Sequence, residues 1–281
     1  MMYIKELYVH PVKSMRGLQV QEARFSPQGL EGDRRFSVVL ARNGVALTAR
    51  EKPALLGIEA VVCDDNLLLA YQGKKISVSL SARGQSQNYR IWGDQISAQD
   101  LGDAVANYLS SIVGKEVRLV ETTEDSRRQS PLVNVPHNFV DLMPLLMTSD
   151  ASLEALNSHL DNPISQRHFR PNIVIGGVEK AYAEDTWDQV QIGGNTFEIT
   201  FGCSRCIMPE YDPETQLKDK ALPVTQALRS TRQAIDKLLY FGQNAMPLTT
   251  GDVQVGDPVK ILTTRNNQRL NADGKTFYTP E

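Results

Sequence analysis

The sequence predicts a mainly β (α+β) protein of 281 residues. Short runs in which apolar and polar residues alternate recur along the chain, and alternation is the period of a half-buried strand. The 19 glycines and 14 prolines are spread between those runs instead of massed in one linker, which favours many short turns. Helical periodicity is confined to three segments, so helices are expected to be peripheral.

Residues 1–95 are predicted to form strands joined by turns. The first strand covers residues 4–9. A hairpin follows, in which residues 35–40 run into an Asn43-Gly44 turn and residues 45–50 return. Asn-Gly between apolar runs is a strong hairpin signal. This half is therefore predicted to be a β-barrel or a sandwich.

The period changes to that of a helix over residues 100–113. Asp100 is the expected N-cap of this helix, and Gly114 lies just beyond its end. Strand character resumes at 117–120, and the polar stretch 121–138 is expected to be a long exposed loop.

Later segments repeat this mixture of strand and helix patterns. A second helix is predicted from Ser149 to just before Pro163, and a strand is predicted at 173–175. Alternating residues flanking two glycines predict a hairpin over 189–200, and the last helix is expected at 224–240.

Three segments describe the expected domain organisation. Residues 1–95 form an N-terminal β-barrel domain, and residues 96–264 form a second β-barrel core with the connecting helix. Residues 253–261 are predicted to close that core as a strand with a turn. Residues 265–281 lose the apolar pattern and are expected to be a tail or linker.

Composition restricts the classes of function. The formal net charge of −3 and the pI near 5.9 give no bulk attraction to nucleic acid or anionic lipid. Three cysteines are too few, and odd in number, for a secreted disulfide framework. With no stretch of signal-peptide or membrane-span length, the chain is expected to be cytoplasmic, with no membrane partner.

Two of the cysteines, Cys203 and Cys206, lie three positions apart at the end of an alternating run. A zinc site would need partners from Cys63 and four scattered histidines, and a thioredoxin-like dithiol would open a helix, whereas two prolines follow here. Two packed thiols are the plain alternative. Arg205 between them needs an anion or solvent, which points to a site.

Several sequence blocks together resemble the MOSC proteins that carry a MOSC N-terminal β-barrel domain, and more narrowly the amidoxime-reducing component branch with its bacterial counterparts. The resemblance covers about 260 residues in order, and the blocks jointly are far more specific than C-S-R-C alone. They are V-H-P-V-K-S-M-R-G-L (9–18), G-D-R-R-F (32–36), L-T-A-R (47–50), F-R-P-N-I-V-I-G-G (169–177), Y-A-E-D-T-W (182–187), I-G-G-N-T-F (192–197), C-S-R-C-I (203–207) and F-G-Q-N (241–244).

This resemblance implies a molybdenum–molybdopterin cofactor whose metal is held by the thiolate of Cys206, the expected metal ligand and catalytic residue. Cys203 is then structural, as are His10 and His168. Arginine suits bidentate phosphate contact and lysine supplies a point charge, which agrees with an anionic pterin ligand. The matching cofactor-binding positions are Lys13, Ser14, Arg34, Arg170, Asn172, Ser204, Arg205, Cys206 and Asn244.

The implied function is molybdenum-dependent reduction of small N-hydroxylated compounds such as amidoximes, hydroxylamines and N-hydroxylated bases. The sequence contains no C-x₄-C-x₂-C run for an iron–sulfur cluster. Either the chain was cut within the tail after Thr264, or a separate iron–sulfur (ferredoxin-like) or flavin protein is expected to supply electrons. A persulfide carrier using Cys206 and a non-catalytic cofactor carrier are the alternatives.

The chain departs from its relatives at Pro209 and Glu210, where they commonly carry two threonines. These positions lie close to Cys206 in sequence, which puts the substrate range in question. Glu210 either brings a carboxylate to the pocket or points to solvent.

Overall fold

A computed structural model describes residues 1–81, 84–91, 93–123, 128–130, 133–218, 224–234, 236–265, 269–270 and 276–278. About 45% of the described residues are in strands and 18% in helices, arranged as curled half-barrel sheets. This confirms the predicted mainly β fold with an N-terminal β-barrel and peripheral helices.

The described strands and α-helices follow in chain order. They are β1 Tyr3–Val9, β2 Leu18–Val20, β3 Glu22–Ser26, β4 Gly29–Leu30, β5 Phe36–Leu40, β6 Glu59–Cys63, β7 Asn66–Tyr71, β8 Lys74–Ser79, β9 Ser86–Ile91, β10 Asp94–Asp100, α1 Asp103–Val113, β11 Val117–Thr122, β12 Arg128–Ser130, β13 Val133–His137, β14 Leu145–Ser149, α2 Asp150–Asn157, β15 Ile173–Gly176, β16 Trp187–Ile192, β17 Asn195–Ser204, α3 Val224–Arg232, β18 Tyr240–Pro247, β19 Gly251–Gln254, β20 Val259–Thr264, β21 Arg269–Leu270 and β22 Thr276–Tyr278.

The N-terminal half is built from two sheets, in the orders β5-β11-β10-β9 and β6-β7-β8. Helix α1 contacts β11 and β8 and so bridges the two sheets. Burial of apolar area drives this packing. The shared core includes Phe36, Leu47, Leu67, Leu109 and Leu119.

The second half centres on an eight-stranded sheet in the order β2-β1-β15-β14-β18-β17-β16-β20. The first strand of the chain therefore belongs to this sheet, with Leu7 opposite Ile173. Strands β14 and β15 are parallel and are joined through α2, the connection that a parallel pair requires. Phe25 and Phe197 meet edge to face beneath the sheet, with ring centroids 5.2 Å apart.

Helices α2 and α3 cover one side of this sheet around an apolar cluster that includes Leu156, Leu228 and Phe241. The helix α2 begins where predicted, and Ser149 caps it, its hydroxyl oxygen accepting from the Ser152 N–H at 3.2 Å. The helix ends at Asn157, earlier than expected. No helix in the described ranges is long and apolar enough to cross a membrane.

Two local predictions were wrong in the first 140 residues, and a third was confirmed only over part of its length. Asp100 does not cap α1; it ends β10, where its carboxylate accepts from Arg118 Nε at 2.7 Å. The predicted hairpin is present only in short form: residues 45–47 return along the edge of β5 opposite β11, where Val39 and Ala46 form an antiparallel bridge and the Leu47 N–H donates to the Val38 carbonyl at 2.8 Å. The predicted loop over 121–138 instead contains the end of β11 and the antiparallel pair β12–β13.

The last helix was also predicted too long, since α3 ends at Arg232 instead of reaching residue 240. A turn follows in which Lys237 adopts a positive φ of 65°, which no helix tolerates. Beyond Thr264, β21 and β22 pair with each other. The division at residues 95/96 and 264/265 stays a prediction.

Gly242 in β18 offers a test of how tightly the site-bearing sheet is packed. Its φ is 77°, and an added Cβ would lie 2.8 Å from the Met147 carbonyl oxygen. We expect Gly242→Ala to lower the free energy of unfolding by about 3 kcal/mol, from backbone strain plus overlap. Urea denaturation followed by circular dichroism measures this value.

Gly73→Ala is the matched control, because Gly73 has a similar φ of 80° but open space around it. Strain alone predicts a loss of about 1 kcal/mol. Equal losses in the two variants would contradict close packing at Gly242.

Candidate functional site

Three of the predicted site residues occupy left-handed backbone conformations. Ser14, Arg34 and Arg170 have φ values of 68°, 45° and 58°. Such conformations cost free energy in residues other than glycine, persist only where surrounding contacts enforce them, and cluster at functional sites. Here the Arg34 N–H donates to the His10 carbonyl at 2.7 Å. The chain is thus bent locally where the site residues lie.

The Arg34 guanidinium joins the two halves of the molecule. Its Nη1 donates to the Asp33 carboxylate and to Asn172 Oδ1 at 3.1 Å, and its Nη2 donates to the Arg170 carbonyl at 3.2 Å. The fork of Arg34 therefore fixes the F-R-P-N segment against the turn that carries Asp33.

Asp33 is buried and ionised. Burial alone would raise the pKa of its carboxyl group, but Arg34 and the hydrogen-bonding surroundings hold that pKa below its ordinary value. One carboxylate oxygen also accepts from the His10 backbone N–H at 2.7 Å. Asp33 was not among the predicted site residues, although it stands in the quoted G-D-R-R-F block.

Lys13 is buried, with its ammonium directed at the segment after β13. Its Nζ donates to the Phe139 carbonyl at 2.9 Å and to the Asp141 carboxylate. Arg50, from the L-T-A-R block, lies 3.8 Å from the other Asp141 oxygen. Asp141 is a second residue that the sequence analysis missed, since its contacts come from 91 and 128 positions away.

The charged form of the Arg170 side chain is disfavoured by its surroundings. Its Nη1 donates to the Met15 carbonyl at 2.6 Å. Burial and the nearby Arg34 and Arg205 lower its pKa to about 9, although Asp33 and Asp141 oppose the shift. Among the described residues, five cations thus face two carboxylates: Lys13, Arg34, Arg50, Arg170 and Arg205 against Asp33 and Asp141.

Arg205 lies against an aromatic wall. Its Nη2 donates to the Phe169 carbonyl at 2.9 Å and its guanidinium carbon is 5.2 Å from the Phe169 ring centroid. That ring stacks on Phe241 at 3.9 Å. Arg205 Nη1 is 3.0 Å from Cys203 Sγ, and the buried Arg205 Nε has no partner among the described atoms. An unsatisfied guanidinium N–H favours an additional acceptor here.

Cys206 follows the end of β17 and is a half-buried free thiol, as is Cys203. Ser204 ends β17 opposite Tyr240, and the Arg205 N–H donates to the Leu239 carbonyl at 2.7 Å. In the described part of the chain, no group of three or more His, Cys, Asp or Glu side chains could hold a metal. A metal on Cys206 would therefore need ligands from another molecule.

Asn172 and Asn244 flank Leu146 of β14. The Leu146 N–H donates to Asn172 Oδ1 at 3.2 Å, and Leu146 stands opposite Asn244 in the sheet. Asn244 in turn donates through Nδ2 to the Gly202 carbonyl at 3.3 Å. Two predicted site residues are thus aligned across neighbouring strands.

Glu210 has neither of the two predicted placements. It is buried, and its carboxylate accepts from the Thr225 backbone N–H at 2.7 Å and from the Thr225 hydroxyl. A carboxylate at the first turn of a helix stabilises it. Glu210 therefore caps α3.

Comparison with known proteins agrees with the earlier resemblance. The model of the MOSC N-terminal beta barrel domain matches residues 1–116, and that of the MOSC domain matches residues 134–260. Human mitochondrial amidoxime-reducing component 1 is 32% identical, with 92% of this chain and 82% of that protein covered. Human mitochondrial amidoxime reducing component 2 is 32% identical, at 91% and 82% coverage. The YUAD protein of Bacillus subtilis aligns structurally with a TM-score of 0.46 at 12% identity, covering 92% of this chain and 94% of that one.

The low pKa of Arg170 predicts a pH-dependent anion site. Sulfate keeps a constant charge across the alkaline range, so it reports the charge of the protein. We expect sulfate to stabilise the protein at neutral pH and to bind more weakly as pH rises through about 9, where Arg170 loses its proton. Thermal unfolding at a series of pH values and sulfate concentrations measures this.

Arg170→Gln should lose most of the sulfate effect and most of its dependence on pH. Exposed Arg42, on a remote turn, provides the control variant Arg42→Gln, which should behave like the wild type. Sulfate stabilisation that is the same in all three proteins would show that Arg170 does not form an anion site.

Proposed function

The chain belongs to the MOSC family with a MOSC N-terminal β-barrel domain, and on that premise we propose that it is a molybdenum-cofactor-dependent oxidoreductase. Its proposed substrates are small N-hydroxylated compounds: amidoximes, hydroxylamines and N-hydroxylated bases. Relatives named amidoxime-reducing components support this reaction class.

The excess of cations around Arg170 is the observation that carries the proposal. Burial and two neighbouring arginines lower the pKa of Arg170 to about 9. Keeping Arg170 charged therefore costs free energy in the ligand-free protein. An anionic ligand would offset that cost. A molybdopterin has a phosphate for these cations, and the free Cys206 thiol beside Arg205 is a soft ligand for its metal. The residues present therefore fit this cofactor.

Each group of residues would have a distinct task in holding the cofactor. Cys206 would ligate molybdenum as a thiolate, and Lys13, Arg34, Arg170 and Arg205 would contact the anionic groups. Polar contacts to the pterin would come from Ser14, Asn172, Ser204 and Asn244. When bound, the cofactor would supply the two electrons that cleave the N–O bond.

The protein would contribute orientation and charge. The Asp33–Arg34–Asn172 contacts hold the cationic side chains before any ligand arrives, so little ordering is required on binding. Stacked Phe169 and Phe241 shield one side of Arg205 from water, which strengthens its interaction with an anion.

Electrons are proposed to come from a separate iron–sulfur or flavin protein. Cys63, the third cysteine, is exposed at the end of β6 in the N-terminal half, whereas the other pair lies at the end of β17. Three cysteines so divided do not form a cluster site with four thiolates. The thiols also agree with the proposed cytoplasmic, reducing location.

A persulfide carrier is the second candidate. Arg205 directly precedes Cys206 in the chain, and a guanidinium stabilises anionic sulfur; its Nη1 already lies 3.0 Å from the sulfur of neighbouring Cys203. Cyanide-releasable sulfur on Cys206 in protein without molybdenum would support that function. Exchangeable cofactor without turnover under any reductant would support a cofactor carrier.

The first test compares the two neighbouring thiols. Protein made in a host that synthesises molybdenum cofactor should contain nearly stoichiometric molybdenum and pterin. Cys206→Ser should lose the metal and N-hydroxy reductase activity, because a serine hydroxyl is a poor ligand at neutral pH. Elemental analysis and reduction of benzamidoxime with a chemical electron donor measure the two properties.

Cys203→Ser is the matched control and should keep bound molybdenum, since Cys203 is expected to be structural. Retention of both metal and activity in Cys206→Ser would overturn the proposed function. Zinc, or no metal, in wild-type protein from such a host would do the same.

A further inference from the structure

Of the two carboxylates that face the cations of the site, Asp141 is the exposed one. One of its oxygens accepts from Lys13 Nζ, and the other is 3.8 Å from Arg50 Nη2. The Asp141 side chain is 56% exposed, whereas that of Lys13 is only 7% exposed. Asp141 is therefore the member of this contact nearest the solvent, and its carboxylate covers the buried ammonium.

The loop that carries Asp141, between β13 and β14, is held at both ends. Phe139 is buried, and its N–H donates to the Arg34 carbonyl at 2.9 Å. At the other end, Pro144 packs so closely against Gly29 that a Cβ added to the glycine would lie 2.9 Å from Pro144 Cβ. Because the Asp141 side chain is exposed between these anchors, rotation about its side-chain bonds is enough to release its carboxylate.

A phosphate group suits the surroundings of Asp141 better than a carboxylate does. Besides its two contacts, the Asp141 carboxylate interacts electrostatically with Arg34, and it opposes the lowering that burial causes in the pKa of Arg170. One carboxylate charge is thus shared among four cations. A phosphate monoester carries a charge of about −1.5 to −2 at pH 7 and has three acceptor oxygens, so it neutralises the same cations more completely.

We infer that Lys13 and Arg50 form a phosphate subsite, which the Asp141 carboxylate occupies until an anionic ligand displaces it. The inference adds Arg50 to the anion contacts and makes Asp141 an internal competitor for them. It rests on the proposed function only for the identity of the ligand, which would be the phosphate group of the cofactor.

The plain alternative is that Asp141 only holds Lys13 in position. Loss of a positioning residue would weaken phosphate binding, whereas loss of a competitor would strengthen it. Under the inference, the two partners of one ion pair therefore have opposite effects: removal of the Asp141 charge raises phosphate affinity, and removal of the Arg50 charge lowers it.

The test is calorimetric titration of inorganic phosphate into full-length protein without cofactor, at constant ionic strength. Asp141→Asn should bind phosphate about tenfold more tightly than the wild type, because a charge-assisted hydrogen bond no longer competes. Arg50→Gln should bind phosphate more weakly. Asp252→Asn is the matched control and should behave like the wild type, because Asp252 is an exposed carboxylate that pairs with Arg24 in another sheet, at 3.0 Å.

A second measurement detects the displacement itself and needs no variant. In wild-type protein labelled with ¹³C-aspartate, phosphate should move the side-chain carboxyl resonance of Asp141 and leave that of Asp252 unchanged. A stationary Asp141 resonance, phosphate binding by Asp141→Asn that is weaker than or equal to that of the wild type, or no phosphate binding by either protein would overturn the inference.

The identity of the ligand is tested with protein loaded with molybdenum cofactor. There the subsite should be occupied, so phosphate should neither bind nor move the Asp141 resonance. Unchanged phosphate binding by loaded protein would overturn the assignment of the subsite to the cofactor.

The two proposals fail in different ways. A stationary Asp141 resonance in protein that loads molybdenum and reduces N-hydroxylated compounds would remove the subsite and leave the proposed function intact. Displacement of Asp141 by phosphate in protein that never loads molybdenum would leave the subsite intact and remove the molybdenum-dependent function.

Discussion

The contact of Arg34 with Asp33 and Asn172 is the interaction on which the rest of the site depends. A buried cation and carboxylate are tolerated only when hydrogen bonds satisfy both groups. Here the guanidinium uses a carboxylate, an amide oxygen and the Arg170 carbonyl, and the carboxylate also accepts from the His10 N–H. These requirements hold the left-handed turns of the site in place.

The cations around Arg170 show why the net charge of the whole chain did not indicate an anion-binding site. The protein is acidic overall, with a formal charge of −3, yet cations outnumber carboxylates around Arg170. Desolvation makes local charges far stronger than exposed ones. The cluster therefore acts on a ligand at contact distance, at the expense of stability in the ligand-free protein, and contributes little long-range attraction for polyanions.

Patterns local in sequence predicted their elements well, and contacts distant in sequence explain the failures. The 189–200 hairpin and the Gly114 end of α1 follow from alternation and turn chemistry. The return predicted at 45–50 is present only as a short pairing of residues 45–47 with β5, on the edge opposite β11. Asp141 was missed because nothing near it in sequence marks it as the partner of Lys13. Glu210 became a cap because the first turn of α3, 15 positions further along the chain, begins beside it.

The acidic residues of the Y-A-E-D-T-W block hold neighbouring helices and strands in place; their contacts do not suggest that they bind a ligand. Asp185 accepts from buried Arg232 of α3 at 2.6 Å. Glu184 accepts from the Ser149 and Ser152 hydroxyls at 3.0 and 2.6 Å, tying α2 to the same segment. Gln243, next to Asn244, lies 3.4 Å from Asp185. Loss of the Glu184 or the Asp185 carboxylate would leave buried polar groups unpaired and would shift the strand that carries Asn244. Variants at these two positions could therefore lose cofactor without either residue touching it.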